Sequence, residues 1–287
     1  MKHLLTKKRV FIGGSLISLI ILILYVFLDI FYWSHFRSMQ DTLWTMQSID
    51  VRGLRELKAS GGTSVRFSDL QKRLSHIQGP KIIVDGMAEY HGYIHGIPTN
   101  FFAYQRKGSP ELKHLIRRWF FTGTTAIQPE LVISESVEAK KYGFDYKEVN
   151  VGSQFIETEE NIDEIVSFFD TLPENVWLHF HCAHGQGRTS ILLVMLDTFK
   201  NAPLVSINDI VKRQTLLGSE DLFNTEVWKD GTYDKQMLEA RKSFIEEFYQ
   251  FACQRKTGGI QRWSDWRQSK RPHEGSTNSS IISNSLL

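Results

Sequence analysis

The segment 176–199, VWLHFHCAHGQGRTSILLVMLDTF, constrains the fold of this chain more than any other stretch. VWLHFH is a short apolar run typical of a buried strand, and TSILLVMLDTF is typical of a buried helix. The loop between them contains Gly185 and Gly187. A strand that passes through a glycine loop into a helix, with further helices following, is typical of a parallel or mixed sheet with helices on its faces. The segment therefore predicts an α/β fold.

The same alternation of short apolar runs and helical patterns continues along the chain. Helices are predicted at 67–77, 111–121, 137–143, 158–172, 206–218 and 236–259, and strands at 81–86, 131–136 and 144–151. Ser68 is the expected N-cap of the helix at 67–77, and the helix at 158–172 opens with Thr-x-x-Asn rather than a full capping box. The Ser/Asn-rich residues 273–287 are predicted to be a disordered tail.

The glycine loop has the composition of a phosphate cradle. Its residues, expected to bind phosphate through backbone and side chain, are Ala183, His184, Gly185, Gln186, Gly187 and Arg188. Glycines allow several N–H groups to point at one centre, and a helix N-terminus favours an anion. The planar guanidinium of Arg188 can bind two phosphate oxygens at once.

Cys182, immediately before this loop, is the predicted nucleophile. The positive field that binds phosphate also favours thiolate over thiol, so we expect a depressed pKa for Cys182. Its thiolate would attack phosphorus to form a cysteinyl-phosphate, which water then hydrolyses. Thr189 or Ser190 would donate a hydrogen bond to the sulfur. The competing interpretation is a buried structural cysteine in an ordinary strand-to-helix turn.

Bulk properties exclude several other classes of protein. The formal net charge of +2 does not indicate a general nucleic-acid-binding protein. The chain has 2 cysteines, Cys182 and Cys253, which cannot form a disulfide scaffold. A metal site built from His179, His181, Cys182 and His184 is disfavoured, because alternate strand residues face opposite ways. We therefore expect no metal and no cofactor.

The N-terminal residues have the pattern of a membrane signal anchor. The run Val10–Leu28 contains no charge and has nearly the roughly 20 residues that a helix needs to cross a bilayer. The basic residues before it predict a cytoplasmic N-terminus. We expect an inner-membrane anchor with the following domain in the periplasm or outside the cell; the alternative is secretion after cleavage of a signal peptide. The oligomeric state stays open.

Several blocks of the sequence together resemble a known bacterial family. HCAHGQGRT, residues 181–189, fits the HCxxGxxRT signature of cysteine-dependent phosphatases of the protein-tyrosine-phosphatase superfamily. The flanking blocks at 83–98, 158–190 and 206–218, with IEEFYQF and RWSDWRQSKRP nearer the C-terminus, resemble the protein-tyrosine-phosphatase-like phytases. These are also called cysteine phytases or inositol polyphosphate phosphatases.

The resemblance implies a fold and a substrate. The fold is a central, mostly parallel sheet flanked by helices, with a small β-rich addition, over residues 34–272 and after an anchor segment at 1–33. The implied substrate is an inositol phosphate, bound without a metal cofactor. Residues that would contact it are His181, Gln154, Arg106, Lys107, Lys212 and Arg213.

The sequence departs from the family at the general acid. The expected Asp-His pair falls on Ser153 and Gln154, and the following Trp-Pro on Ile156 and Glu157. Serine cannot protonate a leaving alkoxide, and loss of a positioned acid costs about 10²–10⁴ in rate. The possible replacements are Glu157 first, then Glu148 and Asp145, or His184 within the loop.

Three outcomes are therefore open for the activity. The chain is an inositol phosphate phosphatase with a replacement acid, a pseudophosphatase that binds phosphorylated ligands, or a phosphatase for substrates with good leaving groups such as phosphotyrosine.

Overall fold

The computed structural model describes residues 2–28, 35–104, 108–149, 151, 158–228 and 233–271, with side chains from residue 14 onward. Its strands are β1 (Arg37–Ser38), β2 (Ala59–Thr63), β3 (Lys81–Asp85), β4 (Tyr93–Ile94), β5 (Ile97–Pro98), β6 (Asp145–Glu148) and β7 (Trp177–Cys182). Its helices are α1 (Lys2–Phe27), α2 (Phe67–Arg73), α3 (Leu112–Thr122), α4 (Glu135–Lys141), α5 (Glu159–Asp170), α6 (Gly187–Asn201), α7 (Ile207–Leu216), α8 (Lys235–Lys256) and α9 (Trp263–Lys270).

A mixed sheet organises this part of the chain. Its strand order is β1-β2-β7-β3-β6, with β1 antiparallel to β2 and the other pairs parallel. Asp85 is in register with His181 on one side and with Glu148 on the other. The carboxyl ends of β3, β6 and β7 therefore meet at one edge of the sheet, where Cys182 ends the central strand. The α/β fold is confirmed.

The core surrounds β7 and α6. Every residue of β7 is buried. Helix α6 packs against β2 and β7 on one side and against α7 and α8 on the others. Its apolar residues from Ile191 to Phe199 belong to one cluster with Leu178 and Phe180. Burial on all sides holds the helix, and with it the preceding loop, in one position.

All the helices predicted for the described residues are present, and their ends differ by a few residues from the predicted ones. The predicted N-cap Ser68 is wrong, because α2 begins at Phe67 and Arg66 occupies the N-cap position. At the start of α5, Oγ1 of Thr158 accepts the N–H of Asn161 at 3.2 Å. The predicted strand at 131–136 is wrong. A 3-10 helix ends at Leu131, a single bridge joins Ile133 to Tyr93, and α4 begins at Glu135.

The strand β2 escaped prediction because its sequence, ASGGT, consists mainly of small residues and has a single β-branched residue, Thr63, to signal a strand. Its small residues are required by packing. A Cβ added to Gly61 would lie 2.8 Å from side-chain atoms of both Leu193 and Thr189. Helix α6 therefore lies directly on this strand. Outside the mixed sheet, the strands of the described residues form one hairpin, of β4 and β5. The expected small β-rich addition stays a prediction.

The predicted membrane anchor coincides with α1. The end of this helix packs on α3, where Phe27 contacts Phe120 and Phe121 edge-to-face, and Nε of Arg117 donates to the carbonyl of Val26 at 2.6 Å. Among the described residues, no helix is both long enough and apolar enough to cross a membrane. The transmembrane prediction is therefore not supported.

A buried ion pair joins α6 to α7. Arg213 and Asp197 both have fully buried side chains in direct contact. The same guanidinium donates to the carbonyls of Asp50 and Arg52 at 2.9 Å each, and Gln214 donates to Asp197 at 2.8 Å. Arg213 was predicted to bind substrate; this is wrong, because its guanidinium has no surface to offer a ligand. Its role is structural.

Replacing Arg213 with methionine is expected to destabilise the protein by about 3–5 kcal/mol, because it leaves the carboxylate of Asp197 buried without its cation. The measurement is chemical denaturation of the purified protein. Lys212→Met is the matched control, since Lys212 is the neighbouring basic residue and is exposed. Equal denaturation midpoints for the two variants would contradict the structural role of Arg213.

Candidate active site

The loop 183–186 connects the end of β7 to the start of α6. Gly185 has a φ of +71°, and a Cβ there would lie 2.3 Å from the carbonyl carbon of Gly62. The loop thus passes against the backbone of β2 at a distance that only glycine permits. This contact explains the glycine at 185 independently of any ligand.

Carbonyl groups of the loop accept hydrogen bonds from side chains of other segments of the chain. Oγ1 of Thr63 donates to the carbonyl of Ala183 at 2.7 Å, and Nδ2 of Asn100 approaches the same oxygen at 3.4 Å. Backbone N–H groups of His184 and Thr189 bond to the sulfur of Cys182. With these carbonyls turned outward and these N–H groups turned to the sulfur, the loop has the polarity of an anion cradle.

The third outside contact comes from Arg37 of β1, which the sequence analysis did not single out. Nη1 of Arg37 donates to the carbonyl of Gly185 at 2.7 Å, and the other nitrogens donate to Oγ of Ser219 at 2.8 Å and Oγ of Ser190 at 3.1 Å. The residue is 1% exposed. Burial lowers the pKa of Arg37 to about 10, so it remains charged at neutral pH. Nothing in its local sequence signals this long-range role.

The sulfur of Cys182 is buried, and nearby charge and hydrogen bonds stabilise its thiolate form. Burial alone raises the pKa of this thiol; the charge of Arg188, the Thr189 hydroxyl and the loop N–H groups outweigh it, and the net shift is downward. Oγ1 of Thr189 lies 3.2 Å from the sulfur. The other thiol shows the opposite shift, since burial raises the pKa of Cys253. The loop therefore favours a thiolate at Cys182 only.

Arg188 is engaged by an acid that the sequence analysis overlooked. Its Nη1 and Nη2 lie 2.5 Å and 2.8 Å from the two carboxylate oxygens of Glu89. Burial raises the pKa of Glu89, but Arg188 outweighs this effect and the net shift is downward. Glu89 thus fixes the plane of the guanidinium beside Cys182. The available signal was its place just after β3, at the same sheet edge as the loop.

Two more residues, Tyr233 and Glu220, lie next to the end of the loop at Gly187, on the side of α8. A Cβ on Gly187 would lie 2.7 Å from the hydroxyl of Tyr233 and 3.4 Å from Oε2 of Glu220. The other carboxylate oxygen of Glu220 pairs with Arg241 at 2.6 Å. Sequence reasoning missed both residues, because they come from a segment without a motif.

His181 does not face the loop. It is 2% exposed, and its Nε2 lies 3.0 Å from Oε1 of Glu135. Burial lowers the pKa of His181, but Glu135 and Asp85 outweigh it and raise the pKa. The prediction that His181 binds substrate is wrong. Together Asp85, Glu135 and His181 bring potential metal-ligating atoms within 4.8 Å of one another.

Of the other predicted site residues, some lie outside the described part of the chain and two are exposed. Ser153, Gln154, Glu157, Arg106 and Lys107 lie outside the described residues. Lys212 and His184 are exposed, and Nζ of Lys212 contacts Oε1 of Gln47.

Of the other replacement acids, Glu148 ends β6 at the sheet edge of Cys182. Asp145 begins that strand. It therefore lies about 10 Å from that edge, at about 3.3 Å per residue. Asp145 is wrongly placed for an acid.

Comparison with known proteins identifies the relatives of this site. The model of the protein-tyrosine-phosphatase-like phytase family, described by inositol hexakisphosphate, matches residues 100–200. The effector protein hopD2 of Pseudomonas syringae pv. tomato is 26% identical over 264 residues, which cover 82% of this chain and 56% of that protein.

Two solved structures share the fold. The PTP-like myo-inositol phosphatase of Mitsuokella multacida, in complex with myo-inositol-(1,3,4,5)-tetrakisphosphate, matches with a TM-score of 0.62 and 26% identity, over 82% of this chain and 46% of that chain. A PTP-like phytase of Bdellovibrio bacteriovorus matches with a TM-score of 0.59 and 25% identity, over 82% and 89%.

The chain spans about half the length of the Pseudomonas and Mitsuokella proteins. The family model covers the loop with its cysteine and arginine, and both solved structures match most of this chain. Residues 100–200 of this chain thus match the family of protein-tyrosine-phosphatase-like phytases, and most of the chain is similar to two solved structures described as a PTP-like inositol phosphatase and a PTP-like phytase.

Proposed function

We propose that this chain is a cysteine-dependent phosphatase that hydrolyses inositol phosphates. The observation that carries the proposal is the environment of Cys182, whose buried sulfur is stabilised as thiolate by Arg188, Thr189 and loop N–H groups. The family supports phosphate ester hydrolysis as the reaction. The Mitsuokella relative, solved with an inositol tetrakisphosphate, supports the substrate class.

In the first step, the Cys182 thiolate attacks phosphorus as the bond to the ester oxygen breaks. The sulfur gains the phosphoryl group, and the inositol leaves as an alkoxide that must take up a proton. Loop N–H groups and Arg188 stabilise the equatorial phosphoryl oxygens. The carboxylate of Glu89 keeps the guanidinium oriented, and the phosphoryl group shares that guanidinium with it.

In the second step, water attacks the phosphorus of the cysteinyl-phosphate. The sulfur–phosphorus bond breaks, and sulfur departs as the thiolate. The hydroxyl of Thr189, 3.2 Å from the sulfur, stabilises this leaving group. Inorganic phosphate and free enzyme are the products. The proton donor of the first step and the base of the second belong to the segment of Ser153 and Glu157, or to Glu148 at the adjacent sheet edge.

Changing Cys182 to serine is expected to reduce phosphate release from phytate to background, since a serine hydroxyl in this loop lacks the ionised nucleophile. Colorimetric phosphate release by the purified protein measures it. Cys253→Ser is the matched control, because Cys253 is also a free cysteine but lies on α8 with a raised thiol pKa. Phosphate release that survives Cys182→Ser at the level of Cys253→Ser would rule out the proposed nucleophile.

A second function, ligand binding without turnover, is favoured by the serine at position 153. If no other group donates the proton, Ser153→Asp is expected to raise phytate hydrolysis by about 10²-fold or more, because it supplies the missing acid. Ser153→Asn controls for the change in shape, since it adds similar bulk without an acid. Calorimetry with inositol hexakisphosphate then reports affinity apart from turnover.

If the unmodified protein already releases phosphate rapidly and Ser153→Asp leaves the rate unchanged, another group serves as the acid. The pseudophosphatase hypothesis is then contradicted. Glu148→Gln and Glu157→Gln are the next variants to assay.

A third candidate, hydrolysis of aryl phosphates such as phosphotyrosine, is favoured by the same serine, because a phenolate leaves more readily than an alkoxide. The relative from Pseudomonas is named an effector protein, which supports a substrate on proteins of another organism. Phosphotyrosine peptide and phytate assayed side by side separate the two substrate classes. Faster turnover of the peptide at equal concentration would favour the third candidate.

We also propose that the phosphatase domain acts outside the cytoplasm, on the basis of the uncharged run Val10–Leu28 after basic residues. A reporter enzyme that is active only after export, fused after residue 40, is expected to be active. A fusion that lacks residues 1–33 is the control. An inactive full-length fusion would contradict this localisation.

A further inference from the structure

The region behind the glycine loop contains a cluster of acids and histidines that the phosphatase chemistry does not use. Asp85 ends β3, His91 follows in the next loop, Glu135 begins α4, and His181 precedes Cys182 on β7. Four separate segments of the chain thus contribute to one buried place. We propose that Asp85, His91, Glu135 and His181 form a structural binding site for one divalent zinc ion.

Distances within the cluster fit this proposal. Nε2 of His91 lies 2.6 Å from Oδ2 of Asp85 and 3.1 Å from Oε2 of Glu135. Nε2 of His181 lies 3.0 Å from Oε1 of Glu135 and 3.7 Å from Oδ1 of Asp85. Zinc with ligands at about 2.0–2.2 Å in a tetrahedron separates them by about 3.3–3.5 Å. The observed separations run from 2.6 Å to 3.7 Å and involve both oxygens of each carboxylate, so these side chains would have to shift until one oxygen of each binds the ion.

Two of these side chains carry buried atoms without a hydrogen-bond partner. Among the described residues, neither ring nitrogen of His181 nor Oε2 of Glu135 finds one. His181 and Glu135 are 2% and 3% exposed. Nε2 of His181 and Oε2 of Glu135 face the cluster, at 3.0 Å from Oε1 of Glu135 and 3.1 Å from Nε2 of His91, without the geometry of a hydrogen bond. Leaving buried polar groups unsatisfied costs free energy. A metal ion would bind to the lone pairs of Nε2 of His181 and Oε2 of Glu135.

His91 is oriented by a backbone carbonyl. Its Nδ1 lies 2.6 Å from the carbonyl oxygen of Glu89, which can only accept a hydrogen bond. Nδ1 therefore carries a proton. Nε2 faces Oδ2 of Asp85 at 2.6 Å and donates to it when no metal is bound, so a zinc ion would displace the proton from Nε2 and take its lone pair. A second ring nitrogen anchored to a backbone carbonyl is the usual support of a metal-ligating histidine.

The chemistry of the ligand set points to zinc among the divalent ions. Two imidazole nitrogens and two carboxylate oxygens in a tetrahedral arrangement suit Zn²⁺, whereas Ca²⁺ and Mg²⁺ prefer all-oxygen shells with more ligands. The two carboxylates balance its charge. Asp85 is oriented from outside by the Tyr146 hydroxyl at 2.6 Å and the N–H of Met87 at 2.8 Å. The competing occupant is a pair of protons, one on each histidine.

A metal ion in this cluster would affect the position of Arg188 through the short loop that contains Glu89 and His91. The carbonyl of Glu89 accepts from His91, and the carboxylate of the same residue holds Arg188. Fixing His91 thus fixes the residue that orients the guanidinium. The proposal does not depend on the phosphatase function, because the ion can bind in an active enzyme or in a pseudophosphatase.

The test uses the full-length protein, stripped with a chelator, dialysed and titrated with Zn²⁺. We expect one zinc per chain by elemental analysis, and a rise in melting temperature of about 5 °C or more when zinc reaches about a hundredfold excess over its Kd. Cobalt substituted for zinc should give the visible absorption of a tetrahedral site. Binding should persist in Cys182→Ser, which excludes the thiolate as the ligand.

Substitutions of cluster residues test whether the ion binds at this place. His91→Gln and Glu135→Gln should lose zinc and the rise in melting temperature, while the exposed His76→Gln should keep both. If the two cluster variants do not fold, the cobalt spectrum of the unmodified protein decides alone. A protein that melts at the same temperature with and without zinc and holds no stoichiometric ion would overturn the proposal, in favour of the two protons. Zinc retained by folded His91→Gln and Glu135→Gln would overturn it as well.

Discussion

A negative charge on the nearly inaccessible sulfur of Cys182 is the constraint on which this structure depends. Burial penalises the thiolate, so the surrounding groups must offset that penalty at short range. Arg188 supplies the charge, and Thr189 and the loop supply the hydrogen bonds. All of these come from the residues between Cys182 and Thr189, which are 7 positions apart in sequence. The proposed nucleophile and its electrostatic support therefore belong to a single continuous segment.

The rest of the fold serves to hold that segment still. Helix α6 is enclosed by β2, β7, α7 and α8, and the loop before it is fixed by donors from β1, β2 and the segment around Asn100. The carboxylate of Glu89 fixes the guanidinium of Arg188 through two hydrogen bonds. A preorganised cradle of this kind does not have to reorganise when the phosphoryl charge develops. Rigidity here comes from packing behind the loop rather than from the loop itself.

The predictable part of the molecule is the part that is local in sequence. Strand β7, the loop and α6 could be read from glycine placement and apolar pattern, and so could the pairing of Cys182 with Arg188 across five residues. What escaped prediction is non-local. Arg37 and Glu89 reach the loop from 148 and 99 residues away in sequence, counted to Gly185 and Arg188. Arg213 looked like a pocket residue because charge is visible in a sequence and burial against Asp197 is not.

The hydrogen bond from Arg37 to the carbonyl of Gly185 limits how far the N-terminus can be shortened. Strand β1 begins at Arg37, soon after the uncharged run that ends at Leu28, so a cut that spares the strand must fall between them. A processing protease that cuts before Arg37 leaves the cation seated under the loop. A cut after Ser38 strips an edge strand from the sheet and leaves the carbonyl of Gly185 without its guanidinium. A shortened protein that keeps this contact must therefore begin before Arg37.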